Sequence, residues 1–216
     1  IQPGPTMVVH PTIDTGKRFS RQRLTPMIEE SPVLRSKVRE NRSRDDANTT
    51  LLKEYPGGFL VVAGANSAAG LRAMPIRDIF FDEIDAYPHD VDGEGDPISL
   101  AEARQSTFAC RKRLKTSTPT TKGHSRIEAA FLATDQRYYH VACPHCGARQ
   151  RLVWGADQAW GIKWHKTQDG TPLPDTAHYV CQHSGCIIQE HHKDVMLAGG
   201  EWIAANPGAS PRKRGY

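Results

Sequence analysis

Two adjacent carboxylates, Asp82 and Glu83, follow the apolar run Ile79-Phe80-Phe81. The run reads as a strand buried on both faces of a parallel sheet, which puts the acidic pair at the strand's carboxyl end. Open α/β sheets bind their ligands in the crevice outside that end. An apolar strand ending in Asp-Glu is the Walker B pattern. Its aspartate can hold a magnesium ion that bridges two phosphates, and its glutamate can polarise an attacking water. The plain alternative is a strand end followed by a solvated acidic turn.

A second constellation lies in the last third of the chain, where Cys143 and Cys146 are followed by Cys181 and Cys186. Four clustered cysteines suit a metal in a reducing compartment better than a secreted disulfide framework. Cys143-x-x-Cys146-Gly147 is a zinc knuckle, two thiolates on a tight turn closed by glycine. The matching stretch reads Cys181-Gln-His-Ser184-Gly185-Cys186, with serine where the fourth thiolate is expected. Either the turn is irregular and Cys186 completes the site, or His183 does, or the site is damaged; the four-cysteine set is the one favoured. Four protein ligands leave no open position, so a Zn2+ there is structural. The fifth cysteine, Cys110, reads as a small core residue.

The elements that must carry these groups are legible in outline. Residues 7–10 form a short apolar strand, and Asp14 and Thr15 can cap a helix after it. Ser31-Pro32 starts another helix, over 33–40. A basic surface stretch with Arg35, Lys37, Arg39, Arg42 and Arg44 comes next. Segments 51–55 and 59–64 flank Pro56-Gly57-Gly58 as a hairpin. The small-residue loop 64–72 lets backbone approach a ligand or another element closely. It is not a phosphate loop, because Gly-Lys-Ser/Thr is missing; Gly16-Lys17 is followed by Arg18 and does not supply one either. Ser99-x-x-Glu102 and Ser125-x-x-Glu128 are capping boxes, and a short strand is expected over 114–117. Strand, helix, strand, helix is the rhythm of a mostly parallel α/β sheet covered on both faces. Beyond Arg137 short strands carry the cysteines, a helix is expected over 190–198, and residues 206–216 read as a linker.

With 216 residues the chain can build one good-sized core and a small second module. No apolar run is long enough to cross a bilayer, and no charged-then-apolar leader is seen. The net charge of +4 is unevenly spread, with nine acidic against two basic residues between Arg72 and Glu102. Basic residues prevail over 17–53 and 111–115. Acidic pockets suit a divalent cation and basic flanks a phosphate backbone. In the stretch Thr116-Ser117-Thr118-Pro119 a hydroxyl could sense a terminal phosphate beside Asp82, though taken alone a plain Thr/Ser-rich turn is the preferred reading. Arg72, Arg126 and Arg137 are candidates for neutralising phosphate charge. Arg149, Arg151 and Trp154 could touch DNA. His10 and His124 are isolated and read as non-functional.

Met7-Val-Val-His-Pro-Thr-Ile-Asp14, the stretch 64–72, Ile79-Phe-Phe-Asp-Glu-Ile-Asp85, Ser117-Thr-Pro-Thr120 and Cys143-Pro-His-Cys146-Gly147, in this order and spacing, resemble the large terminase subunit of lambda-like tailed phages. The resemblance implies an ATP-driven motor of the P-loop NTPase type that pumps double-stranded DNA into a prohead. By it, Asp82 would hold Mg2+, Glu83 would activate water, and Ser117 and Thr118 would belong to the coupling motif; Arg72, from its charge alone, is the candidate nucleotide contact. It also implies a portal protein and a small terminase subunit as partners, a homo-oligomeric ring, and action in the bacterial host cytoplasm, transiently at the prohead portal. The family's phosphate loop is expected upstream of Ile1 and its nuclease domain past Tyr216. The domain layout expected is a partial ATPase domain over 1–137, a zinc-ribbon module over 138–205 and a linker over 206–216, a piece unable to turn over ATP by itself. Two rivals share some of these features: another nucleic-acid-translocating ATPase of helicase type, and a non-enzymatic zinc-ribbon DNA-binding module.

Overall fold

The computed structural model describes residues 2–38, 49–210 and 212–216. The end of the helix expected over 33–40, and Arg39, Arg42 and Arg44 of the basic stretch, lie outside them. The chain divides into two units, Ile1–Ala130 and Phe131–Tyr216. No helix among the described residues is long and apolar enough to cross a membrane.

The first unit is built on five strands, β1 (Thr6–His10), β2 (Leu52–Tyr55), β3 (Gly58–Gly64), β4 (Asp78–Phe81) and β5 (Lys112–Lys115), in the order β2-β3-β1-β4-β5. β1 runs parallel to β3 and β4, and β4 parallel to β5; β2 joins β3 as the expected antiparallel hairpin. Period-2 alternation sends Met7, Val9, Ile79 and Phe81 to one face, each no more than 1% exposed. They pack there with Ala68 and Leu71 of α4 (Ala68–Arg72) and with Ile98 and Ala101 of α5 (Pro97–Ala103). The opposite face takes α1 (Ile13–Phe19) over β1 and β3 but is left partly open, with Phe80 42% and Leu114 51% exposed. The expectation of a strand buried on both faces therefore fails at Phe80, because within this unit no described helix covers the β4–β5 half of that face.

Helix starts follow local chemistry, though not always at the residues the sequence suggested. Thr12 caps α1 in a box with Thr15, so the cap stands two residues before Asp14. A π-helical turn, Ser20–Leu24, continues into α2 (Thr25–Glu30), and Ser31 caps α3 (Pro32–Arg35) as expected. Asp96 caps α5 with Pro97 in the first turn, so Ser99 lies inside the helix. Ser125 receives the Glu128 N–H at the start of α6 (Arg126–Leu132), while the Glu128 carboxylate accepts from Gly123 instead of closing the box.

The second unit holds two three-stranded sheets. One is ordered β11-β6-β7 and the other β10-β9-β8, from β6 (Arg137–Ala142), β7 (Arg149–Gln150), β8 (Gly161–Lys166), β9 (Pro172–Val180), β10 (Ile187–Ile188) and β11 (Glu201–Ala204). α7 (Lys193–Ala198) comes after a 3-10 turn at Glu190–His192. The tail does not behave as a free linker: the backbone N–H groups of Asp135 and Arg137 donate to the carbonyls of Lys213 and Gly215, and Trp202 meets the Tyr216 ring at 5.1 Å.

Candidate functional site

Parallel registry determines which residues meet at the carboxyl edge of the first sheet. Val9 stands opposite Phe81, Phe81 opposite Lys115, and His10 opposite Gly64. One residue further along each strand, His10, Asp82 and Thr116 form a row. Asp82 sits at its centre, its side chain 46% exposed. His10 Nδ1 lies 3.2 Å from one carboxylate oxygen, Oδ2, and the Thr116 hydroxyl donates to the other, Oδ1, at 3.0 Å. The backbone N–H of Asp82 continues the ladder to the Val9 carbonyl at 2.9 Å.

His10, isolated in the sequence and expected to be non-functional, is not isolated in the fold. Only 4% of its surface is exposed, and its ring lies 4.7 Å from that of Phe19. Burial pushes the imidazole below its ordinary pKa, against the opposing pull of Asp82. Among the described residues its Nε2 is buried without a hydrogen-bond partner. The missed signal was positional: His10 ends one apolar strand as Asp82 ends the next.

Glu83 occupies the left-handed region at φ 55 and ψ 53. Its Oε2 accepts from the Thr118 N–H at 3.4 Å and from the Ser117 hydroxyl at 3.5 Å. The structure thus brings Asp82, Glu83, Ser117 and Thr118 to one strand-end cluster. Asp85, which no sequence signal singled out, ties that cluster down. It accepts from Thr120 N–H and Oγ1 at 3.0 Å each and from the Ile127 N–H at 2.8 Å, while its own N–H donates to Ser117 Oγ at 3.2 Å. Burial pushes the Asp85 carboxyl up, but bonds from Ser125, Ile127 and Thr120 outweigh it and bring it to about 2.

The arginine candidates are engaged elsewhere. Arg72 pairs with Glu94 at 2.5 Å, Arg126 with Asp96 at 2.9 Å and Arg137 with Asp135 at 2.7 Å. The expected acidic pocket is also smaller than the charge count suggests. Asp90 accepts from the turn amides of Gly93 and Gly95, Asp92 from the Ala68 N–H, and Glu102 pairs with Arg113 and Lys115. The small-residue loop serves another element: a Cβ on Gly64 would lie 2.5 Å from the backbone nitrogen of Ile13. Cys110 is exposed, not a core residue.

In the second unit the Sγ atoms of Cys143, Cys146, Cys181 and Cys186 all lie within 4.8 Å of one another. Cys143 and Cys186 are 3.4 Å apart, and Cys146 and Cys181 3.8 Å. A tetrahedron of thiolates about 2.3 Å from a Zn2+ has edges of about 3.8 Å, so the donor set fits that ion. Both turns share one backbone pattern. Gly147 N–H returns to the Cys143 carbonyl as Gly185 N–H does to Cys181, and Cys143 and Cys181 N–H groups donate to Ala148 and Cys186. Ser184 occupies the place of Cys146, and its hydroxyl donates to Cys186 Sγ at 2.9 Å. His183 turns its ring toward the Arg149 carbonyl, Nε2 at 3.2 Å, and stays outside the cluster.

A parallel sheet with acidic and hydroxyl side chains gathered at its carboxyl edge places the first unit among α/β proteins whose ligands bind at strand ends. The chain belongs to the family described as phage terminase large subunit gpA, ATPase domain, which matches residues 1–202. It is 30% identical over 207 residues to the terminase large subunit of Enterobacteria phage P21, covering 94% of this chain and 31% of that protein. With the terminase large subunit of Escherichia phage lambda it shares 29% identity over 196 residues, covering 89% and 30%. The chain thus spans less than a third of the length of these relatives. Among solved structures, the large terminase of a thermophilic bacteriophage aligns with 55% of this chain and 26% of its own, at 18% identity and a TM-score of 0.35.

Proposed function

We propose that this chain supplies the cation-holding and water-activating strand end of an ATPase that drives double-stranded DNA into a phage prohead. The observation that carries the reading is the cluster at the end of β4, where the Asp82 side chain is half-exposed and Glu83 meets the 117–118 turn after β5. Family membership supports the same assignment.

Asp82, with its half-exposed carboxylate, would hold Mg2+, a cation commonly bound through one or two carboxylates together with nucleotide phosphates. The bound cation would neutralise phosphate charge. Glu83 accepts the proton of the attacking water or orients it. Because the Glu83 carboxylate also bonds Ser117 and Thr118, loss of the terminal phosphate reaches the β5 turn through the same oxygen. Arg72 remains a proposed nucleotide contact, which requires it to exchange Glu94 for phosphate. Cys143, Cys146, Cys181 and Cys186 would hold one structural Zn2+ within a ribbon. The partners proposed are double-stranded DNA, the portal protein and the small terminase subunit, with a ring of identical subunits acting in the host cytoplasm at the prohead portal.

The test is ATP hydrolysis by the complete protein that carries this chain. Glu83→Gln is expected to lower kcat by about 10²–10⁴-fold while ATP binding persists, the range for loss of a general base. Hydrolysis unaffected by Glu83→Gln would overturn the assignment and leave the chain as a zinc-ribbon module beside a structural acidic turn.

A further inference from the structure

We infer that His10 and Thr116 are positioning residues for the cation site, each fixing one oxygen of Asp82 from a neighbouring strand. The inference rests on the reading of Asp82 as the Mg2+ ligand. A carboxylate at a strand end can rotate about two side-chain bonds, so a lone aspartate presents many orientations to a cation. Here the rotation is stopped from both sides. Thr116 Oγ1 donates to Oδ1 at 3.0 Å from β5's end, and His10 Nδ1 meets Oδ2 at 3.2 Å from β1's end. One bond per oxygen leaves each with accepting capacity for a metal.

His10 is itself held. It is 4% exposed, stands beside Phe19, and has Gly16 so near that a Cβ there would lie 3.6 Å from its Cδ2. Its Nε2 is buried and meets no partner among the described residues. An apolar ring would fill the same space without stranding a nitrogen, so packing alone does not account for a histidine here; its 3.2 Å contact with Asp82 does. Partners that orient a ligating side chain typically change metal affinity by about 10–100-fold when removed.

The experiment titrates the complete protein with Mn2+, as a surrogate for Mg2+, in the presence of a non-hydrolysable ATP analogue. Free Mn2+ is read by electron paramagnetic resonance, and analogue affinity is measured separately without cation. His10→Phe and Thr116→Val are each expected to weaken Mn2+ binding about tenfold, with cation-free analogue affinity unchanged. His10→Asn, whose amide nitrogen can stand in for Nδ1, and Thr116→Ser are expected to restore wild-type affinity. Wild-type Mn2+ affinity in both His10→Phe and Thr116→Val, with Asp82→Asn impaired, would overturn the inference alone. Equal loss in His10→Asn and His10→Phe would also overturn it for His10, by showing a packing role. Unchanged Mn2+ affinity in Asp82→Asn would remove the underlying reading and this inference with it. Thr116→Val changes an exposed strand end and carries the test if the buried His10→Phe does not fold.

Discussion

Glu83 is a glutamate in a glycine's backbone. At φ 55 it bears the strain of a left-handed residue, about 1–2 kcal/mol, and such strain persists where the surroundings over-determine it, often at active sites. The cause is local: β4 must end at Asp82 and turn at once into the 3-10 turn Ile84–Ala86. Glu83→Gly is therefore expected to raise stability by up to about 1 kcal/mol while abolishing hydrolysis, read by urea unfolding beside a turnover assay. A fall in stability would show that the bonds to Ser117 and Thr118 outweigh the strain. No propensity scale marks this residue from sequence, because the strain arises from the sharp turn at the strand's end. Tyr87 is similar: burial pushes its phenol above the ordinary pKa, and its hydroxyl donates to the Val9 carbonyl at 2.7 Å. Nothing in the Tyr-Pro dipeptide announces that bond.

Between elements, Asp85 joins the turn after β4, the turn after β5 and the start of α6 through its carboxylate and its backbone N–H. Its folded pKa, about 2, lies below the ordinary 3.8. The stabilisation is thus fully present above about pH 4 and is lost as pH falls through about 2. Asp85→Ala is expected to cost about 2 kcal/mol at pH 7 and to flatten stability between about pH 4 and 2, measured as urea midpoints across that range. An unchanged acid limb would show that the carboxylate does not hold these elements together. The strands themselves were readable as apolar runs at 7–10 and 79–81, and the hairpin around Pro56-Gly57 came from turn chemistry. The β5 boundary was not, since Lys112–Lys115 is largely exposed and carries little apolar pattern. Helix α5 begins at Pro97 because Asp96 is the better-placed cap, so the serine of the apparent capping box is interior.

At the scale of whole units, the described residues of the second one form a small apolar cluster of Val141, Ile188 and Met196 around Cys143 and Cys181, with Tyr139 and Tyr179 packed against it. On the proposed zinc reading, metal binding contributes to the folding of this unit directly. Metal analysis is expected to find about one zinc per chain, and chelation is expected to melt residues 131–216 while the parallel sheet of the first unit stays folded. His183→Ala should keep the zinc and Cys186→Ser should lose it. The reverse pattern would transfer the fourth ligand to His183. The spacing of the second knuckle left Cys186 and His183 both open, because a serine stood where a thiolate belonged. Backbone placement separates them geometrically, turning the histidine toward Arg149 and the later cysteine inward.

The sequence by itself determined the parallel α/β rhythm, the acidic strand end and the grouping of the cysteines, because each is written in local order: apolar runs, a carboxylate pair, thiols a few residues apart. Tertiary structure alone decided which residues share the edge. His10, Asp82 and Thr116 are separated by 72 and 34 positions in the chain, and only strand order and parallel register put them in one row. It also decided that most of the acids between 72 and 102 act as internal acceptors, since ion pairs and caps depend on where the chain returns rather than on the charges it carries.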